Sequence, residues 1–114
     1  MPKADQFLPL SPASLQILLA LASNDMHGYA IMQEVARQSD GRYKLGPGTL
    51  YDSLHRMTKQ GLTREVPKRS DDGRGPRHYR LSAMGRKVLG AELDRLDSVL
   101  REGRLRLARP REAV

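Results

Sequence analysis

The residues best placed to do chemistry cluster between positions 44 and 80. On a helical wheel of the stretch that starts at Pro47, Leu50, Leu54 and Met57 fall together as an apolar side. The opposite side collects Gly48, Thr49, Asp52, His55, Arg56 and Lys59, with Lys44 just ahead of it. Small residues at a helix N-terminus let the backbone approach a phosphate or a groove floor. Thr49 suits a thymine methyl or a phosphate, and Arg56 suits guanine or phosphate. Tyr51 flanks the apolar side, so its ring can pack while its hydroxyl reaches a phosphate. An ordinary solvated helix face would look the same taken alone. The next segment strengthens the binding reading: Lys68, Arg69, Arg74 and Arg77 surround a turn-rich string, Ser70 to Pro76, between two short strand candidates. Arginines on a glycine-flanked loop suit a phosphate backbone or a narrow minor groove. Asp71 and Asp72 lie in the same loop and make it less uniformly basic. Arg80, beyond the tip, is equally able to pair with a carboxylate of its own fold.

Other chemistry has little support. With no cysteine, thiolate nucleophiles, disulfides and Cys-type metal sites are excluded. His27, His55 and His78 lack metal-ligand spacing, and His27, ahead of a glycine at a helix start, reads as a capping residue. Gly46-Pro47-Gly48 is not followed by the Gly-Lys-Ser/Thr of a phosphate loop. Ser11, Ser14 and Ser53 have no evident base. No enzyme, metal or cofactor is expected. Single-strand binding by stacking needs exposed aromatics among basic residues, and the chain has only Phe7, Tyr29, Tyr43, Tyr51 and Tyr79. Tyr29 and Tyr79 sit beside apolar stripes and are expected in the core.

The composition agrees with a polyanion partner. The 114 residues carry 20 Lys and Arg against 13 Asp and Glu, a net charge of +7. Residues 1–41 are net −2, whereas 42–60, 61–80 and 81–114 are each net +3, so the basic surplus begins at Arg42. Mean hydropathy is −0.59, and the longest apolar run, Ile17 to Ala22, is far short of the roughly 18 residues of a spanning helix. No membrane association is expected. The first ten residues lack the order of a signal peptide, which points to a reducing cytoplasmic setting.

These side chains need elements to position them. Residues 1–10 read as a flexible arm. Ser11-Pro12 marks a helix start, with Leu15, Leu18, Leu19 and Ala22 as its expected apolar stripe. A second helix is expected from about His27-Gly28 to Ser39, burying Ile31, Met32, Val35 and Ala36, and Asp40-Gly41 ends it. The third runs from Pro47 to Gly61. Strands over 62–66 and 77–81 then form a hairpin, so residues 11–81 make a winged helix-turn-helix. From Ser82 to Leu107 a last helix places Leu89, Leu93, Leu96, Leu100, Gly103 and Leu107 at alternating spacings of four and three, a seam of period 3.5. Such a helix outruns a small domain, so the seam is expected to be a dimer interface, with 108–114 as a frayed tail. The fold class is mostly α with a small β-hairpin: a winged helix-turn-helix with a long C-terminal dimerisation helix.

Four strings in order resemble the PadR family of bacterial transcriptional regulators: His27-Gly28-Tyr29-Ala30-Ile31, Gly48-Thr49-Leu50-Tyr51, Gly61-Leu62, and Arg77 to Ser82 followed by Gly85. The resemblance spans about residues 11–107 and is to the short form of the family, with one C-terminal helix. It implies a homodimeric, nucleoid-associated repressor on a palindromic operator in double-stranded DNA. Gly48, Thr49 and Tyr51 then fall in the recognition helix, Arg74 and Arg77 in the wing, and Ser82–Leu107 in the dimerisation arm. It also implies release by a small hydrophobic or aromatic effector near the dimer interface. Stacking of planar drugs between tryptophans of that arm is not open to a chain without Trp. Two other readings stay open: a winged-helix module whose long helix docks another protein, with non-specific DNA binding, and a protein that is chiefly a ligand sensor.

Overall fold

A computed structural model describes residues 3–67 and 77–113. Its helices begin where the sequence supplies caps. Ser11 Oγ accepts from Ser14 N at 3.1 Å and Pro12 occupies the first position of α1 (Pro12–Leu21). His27 Nδ1 accepts from Ala30 N at 3.2 Å at the start of α2 (Gly28–Gln38). Pro47 opens α3 (Pro47–Lys59), and Ser82 Oγ accepts from Gly85 N at 2.9 Å at the head of α4 (Ala83–Ala108). Gly61, at φ 79°, lets the chain leave α3 while Leu62 N donates back to Met57 O at 2.9 Å.

Three antiparallel strands complete the domain in the order β1-β3-β2: β1 (Met26–His27), β2 (Thr63–Val66) and β3 (His78–Leu81). The hairpin pairs Thr63 with Leu81 and Val66 with His78, as the strand candidates imply. The third strand, β1, pairs Met26 with Tyr79; two residues carry no periodicity, so the sequence is silent on it. A bidentate contact from Arg80 to Asp25, with Nη2–Oδ2 at 2.7 Å, fixes this edge. The guanidinium holds the Asp25 carboxyl below its ordinary range.

Side chains from α1, α2, α3, the hairpin and the first turns of α4 share one core, with Ile17, Leu18, Ile31, Leu50, Leu54, Met57, Leu62 and Val88 fully enclosed. The buried side of α1 is Ala13, Ser14, Ile17, Leu18, Ala20 and Leu21, rather than the stripe through Leu15 and Leu19, of which Leu19 is exposed. Five consecutive apolar residues satisfy more than one helical register, and packing chooses between them. Tyr79 is in the core as expected, whereas Tyr29 is 63% exposed.

The arm also differs from expectation. Ala4–Phe7 form a 3-10 helix that packs on α4, with Phe7, Leu8 and Leu10 partly buried against the core. Its anchor is Glu92, 1% exposed, whose Oε2 accepts from Leu10 N at 2.7 Å while Oε1 accepts from Arg95 Nε. Those two donors hold the Glu92 carboxyl below its usual range, Arg95 foremost, against the opposing effect of burial.

At 26 residues α4 is about 39 Å long, and nothing beyond Glu92 is buried. The radius of gyration is accordingly 17.0 Å, above the roughly 13 Å of a compact chain of this size. Leu89, expected in the dimer seam, is 5% exposed and belongs to the protomer's own core. The seam proper begins at Leu93, 44% exposed, and continues through half-buried Leu96 to Leu100 and Leu107, with Val99 beside it. Among the described residues no helix is long and apolar enough to cross a membrane.

Candidate nucleic-acid interface

Helix α3 presents the two sides its sequence dictates. Leu50, Leu54 and Met57 are at most 1% exposed, and Gly48, Thr49, Asp52, His55, Arg56 and Lys59 all lie in solvent. Lys44 is exposed just ahead of them. Gly46 caps the helix without a side-chain hydrogen bond, and a Cβ built on Gly46 or Gly48 would meet nothing within 4 Å. No side chain caps this first turn, and the N–H groups such a turn leaves over are ones a phosphate can take.

Tyr51 is half exposed. Its ring rests on the first turn of α2: a Cβ on Gly28 would stand 2.3 Å from Tyr51 Oη and 2.8 Å from Cζ. Glycine at 28 is thus what lets α2 and the Tyr51 side chain of α3 approach, with the phenol end packed on the first turn of α2. The His-Gly pair divides the task, His27 capping α2 and Gly28 making room. Exposed Tyr29 adjoins this turn. Sequence reasoning placed it in the core, because an aromatic beside an apolar stripe carries no signal of the rotation that points it outward.

The wing meets α3 through Glu65 and Tyr79. With Tyr51, His55 and Thr58 they line a cleft of about 300 Å³ between helix and hairpin. Burial pushes the Tyr79 hydroxyl above its ordinary range, with Glu65 and Tyr51 adding to it, so it stays a neutral phenol. Arg77 Nη1 donates to both Glu65 carboxylate oxygens at 3.2 Å while remaining 74% exposed. That contact offsets an anion beside the polar helix face and leaves most of the guanidinium in solvent. Lys68, Arg69 and Arg74 lie outside the described residues. Arg80 is turned to Asp25 as an internal pair.

Arg56 departs from a simple outward reading. It is exposed, yet its Nη2 donates to Ser14 Oγ of α1 at 3.3 Å. His27 packs edge-on against His78 with centroids 5.5 Å apart, and no group of three or more His, Cys, Asp or Glu able to hold an ion occurs among the described residues.

Comparison with known proteins agrees with this geometry. The family model "Transcriptional regulator PadR-like family" matches residues 17–91. The transcriptional regulator Rv3488 of Mycobacterium tuberculosis is 39% identical over 88 residues, 77% of this chain and 78% of that protein. A PadR family transcription regulator from Clostridium difficile superposes with a TM-score of 0.68 at 23% identity, over 86% of this chain and 100% of that one. Bacillus subtilis PadR, solved in complex with operator DNA, superposes with a TM-score of 0.63 at 16% identity, over 93% of this chain and 52% of that one. With residues 17–91 matched and 39% identity to Rv3488, the chain belongs to the PadR-like family of transcriptional regulators.

Proposed function

We propose that this regulator acts as a homodimer that binds a palindromic operator in double-stranded DNA and represses transcription by occluding a promoter. The observation that carries the reading is α3, whose polar and basic side, with an open N-terminal turn, stands in solvent beside a hairpin wing. Thr49, His55 and Arg56 are the base-reading candidates, with Tyr51, Lys44, Lys59 and Arg77 as phosphate contacts and Asp52 restraining its basic neighbours. Lys68, Arg69 and Arg74 would extend the wing's contacts.

Dimerisation is supported by the seam of Leu93, Leu100 and Leu107, which the protomer leaves exposed, with half-buried Leu96 between them. Two-fold symmetry then sets two half-sites about one helical turn, or a multiple, apart. The Bacillus subtilis relative, solved bound to operator DNA, supports the choice of ligand. In a cell the dimer would work in the cytoplasm on the nucleoid, and release by a small hydrophobic or aromatic effector fits this architecture. The seam equally fits a helix of another protein, in which case DNA binding would be non-specific.

Selection of duplexes from a random pool tests the reading. Enrichment of an inverted repeat is expected, weakened by Thr49→Ala or His55→Ala. Recovery of unrelated sequences with purely salt-labile binding would favour the protein-docking reading.

A further inference from the structure

The polar side of α3 carries one carboxylate, Asp52, and it is exposed. A carboxylate turned toward a polyanion costs affinity, and the structural uses of an acid on a helix do not account for it. The first turn of α3 holds no acidic residue, so Asp52, in the second turn, neither caps the helix nor answers its dipole. Among the described residues it enters no ion pair. Arg56, one turn further on, donates instead to Ser14 Oγ at 3.3 Å. The hold of Asp52 on its basic neighbours therefore acts through space alone.

Its direction is the more telling observation. At about 100° per residue Asp52 stands about 200° around the helix from Leu50, nearly opposite the enclosed Leu50, Leu54 and Met57. Gly48 and Lys59 share that direction, but Gly48 has no side chain and Lys59 sits in the last turn. Asp52 is thus the most outward side chain in the N-terminal half of α3, the half that reaches base edges in helix-turn-helix proteins. An ionised carboxylate only accepts hydrogen bonds. On the major-groove edges, guanine offers N7 and O6 and thymine offers O4, all acceptors, while adenine sets its N6 donor beside the N7 acceptor. The cytosine edge presents a donor alone, its N4–H.

From this placement we infer that Asp52 determines sequence specificity: its carboxylate accepts from the N4–H of a cytosine, so each half-site holds a C·G pair where it faces the groove. Any other base there sets the desolvated carboxylate against an acceptor, so Asp52 rejects wrong sequences as well as choosing the right one. The inference rests on the DNA-binding reading above and names a base which that site reads.

Selection from a random duplex pool with the parent, Asp52→Asn and Asp52→Ala tests it, with thermal midpoints to confirm that these exposed substitutions leave the fold intact. The parent is expected to fix one cytosine in each arm of an inverted repeat. Asparagine adds donors and pairs bidentately with adenine N6 and N7, so Asp52→Asn should change that position alone from cytosine to adenine. Asp52→Ala should lose a preference of about tenfold in Kd there and keep the rest of the repeat. A modified duplex needs no variant: N4-methylcytosine still pairs with guanine but replaces the groove-facing N–H by a methyl. It should weaken the parent about tenfold at that position and leave Asp52→Ala nearly unchanged. The inference alone is overturned by a repeat with the same bases for the parent and both variants, by an adenine at the position Asp52 controls, or by an N4-methyl group tolerated at every cytosine of the repeat. A parent that selects no common sequence overturns the functional reading and this inference with it.

Discussion

The exposed seam of α4 can be tested apart from the protomer's own stability, because its leucines divide into two groups. Leu93 and Leu100 are 44% and 52% exposed, whereas Leu89 is 5% exposed and sits in the core. Full burial of a leucine is worth about 1.5–3 kcal/mol, so covering the exposed halves gives about 1 kcal/mol per side chain. A two-fold interface counts each substitution twice. The double variant Leu93→Ala/Leu100→Ala should therefore weaken the dimer by about 3–4 kcal/mol, about 10²- to 10³-fold in Kd. Alanine keeps the helix, being the strongest helix former, so the fold should survive. Leu89→Ala should instead cost about 2–5 kcal/mol of fold stability through the cavity it leaves. Sedimentation equilibrium over a dilution series reads the dimer isothermally, which avoids the concentration dependence of melting in a coupled dimer. Denaturant unfolding at low concentration reads the fold. A double variant that dimerises as tightly as the parent would refute the assignment of the seam. So would a Leu89→Ala variant that loses the dimer while its fold stability is unchanged.

Three further outcomes are expected from contacts elsewhere. Glu92→Gln should lower stability by about 1.5–3 kcal/mol at neutral pH, the range for hydrogen bonds to a charged group. Because Glu92 titrates below its ordinary value when folded, that contribution is complete above the unfolded pKa and disappears as pH falls through the folded one. The two proteins should converge in unfolding free energy only as pH falls below the ordinary glutamate range and through the folded pKa; a gap that is the same at neutral pH and at the acid limit of folding would contradict the carboxylate anchor. Gly85→Ala would set a Cβ 2.1 Å from Leu62 O and 2.6 Å from Leu81 Cδ1, so thermal unfolding should show a loss of about 3 kcal/mol or more, since backbone must move. The three nearest atoms to a Cβ on Gly28 are all at the end of the Tyr51 side chain; Gly28→Ala should displace that phenol, change its environment by NMR, and weaken DNA binding more than it lowers the thermal midpoint.

The parts of this fold legible in the sequence are those determined locally. Ser11, His27, Pro47 and Ser82 mark the helix starts because each cap acts within three residues, and the polar side of α3 follows from apolar residues at a single spacing. The anchoring of the arm was not legible, since Leu10 and Glu92 stand 82 positions apart and Glu92 reads as one more flanking charge on a long helix. Leu89 shares the period of the seam; what separates it from Leu93 is where the domain stops covering the helix, a tertiary fact. Arg56 reads as an outward contact until α1 is placed beside it. The capping role of His27 was visible in its sequence position, whereas the space Gly28 leaves for Tyr51 needed both helices.

Fluorescence anisotropy with DNA from upstream of the chain's own gene, against a shuffled duplex at two salt concentrations, tests the central claim most directly. The account predicts a preference for the native duplex of about 10³ or more, with affinity falling steeply as salt rises, by about 0.9 in the log–log slope per phosphate contact. Equal, salt-labile binding to both duplexes at protein concentrations where the dimer is formed would contradict it.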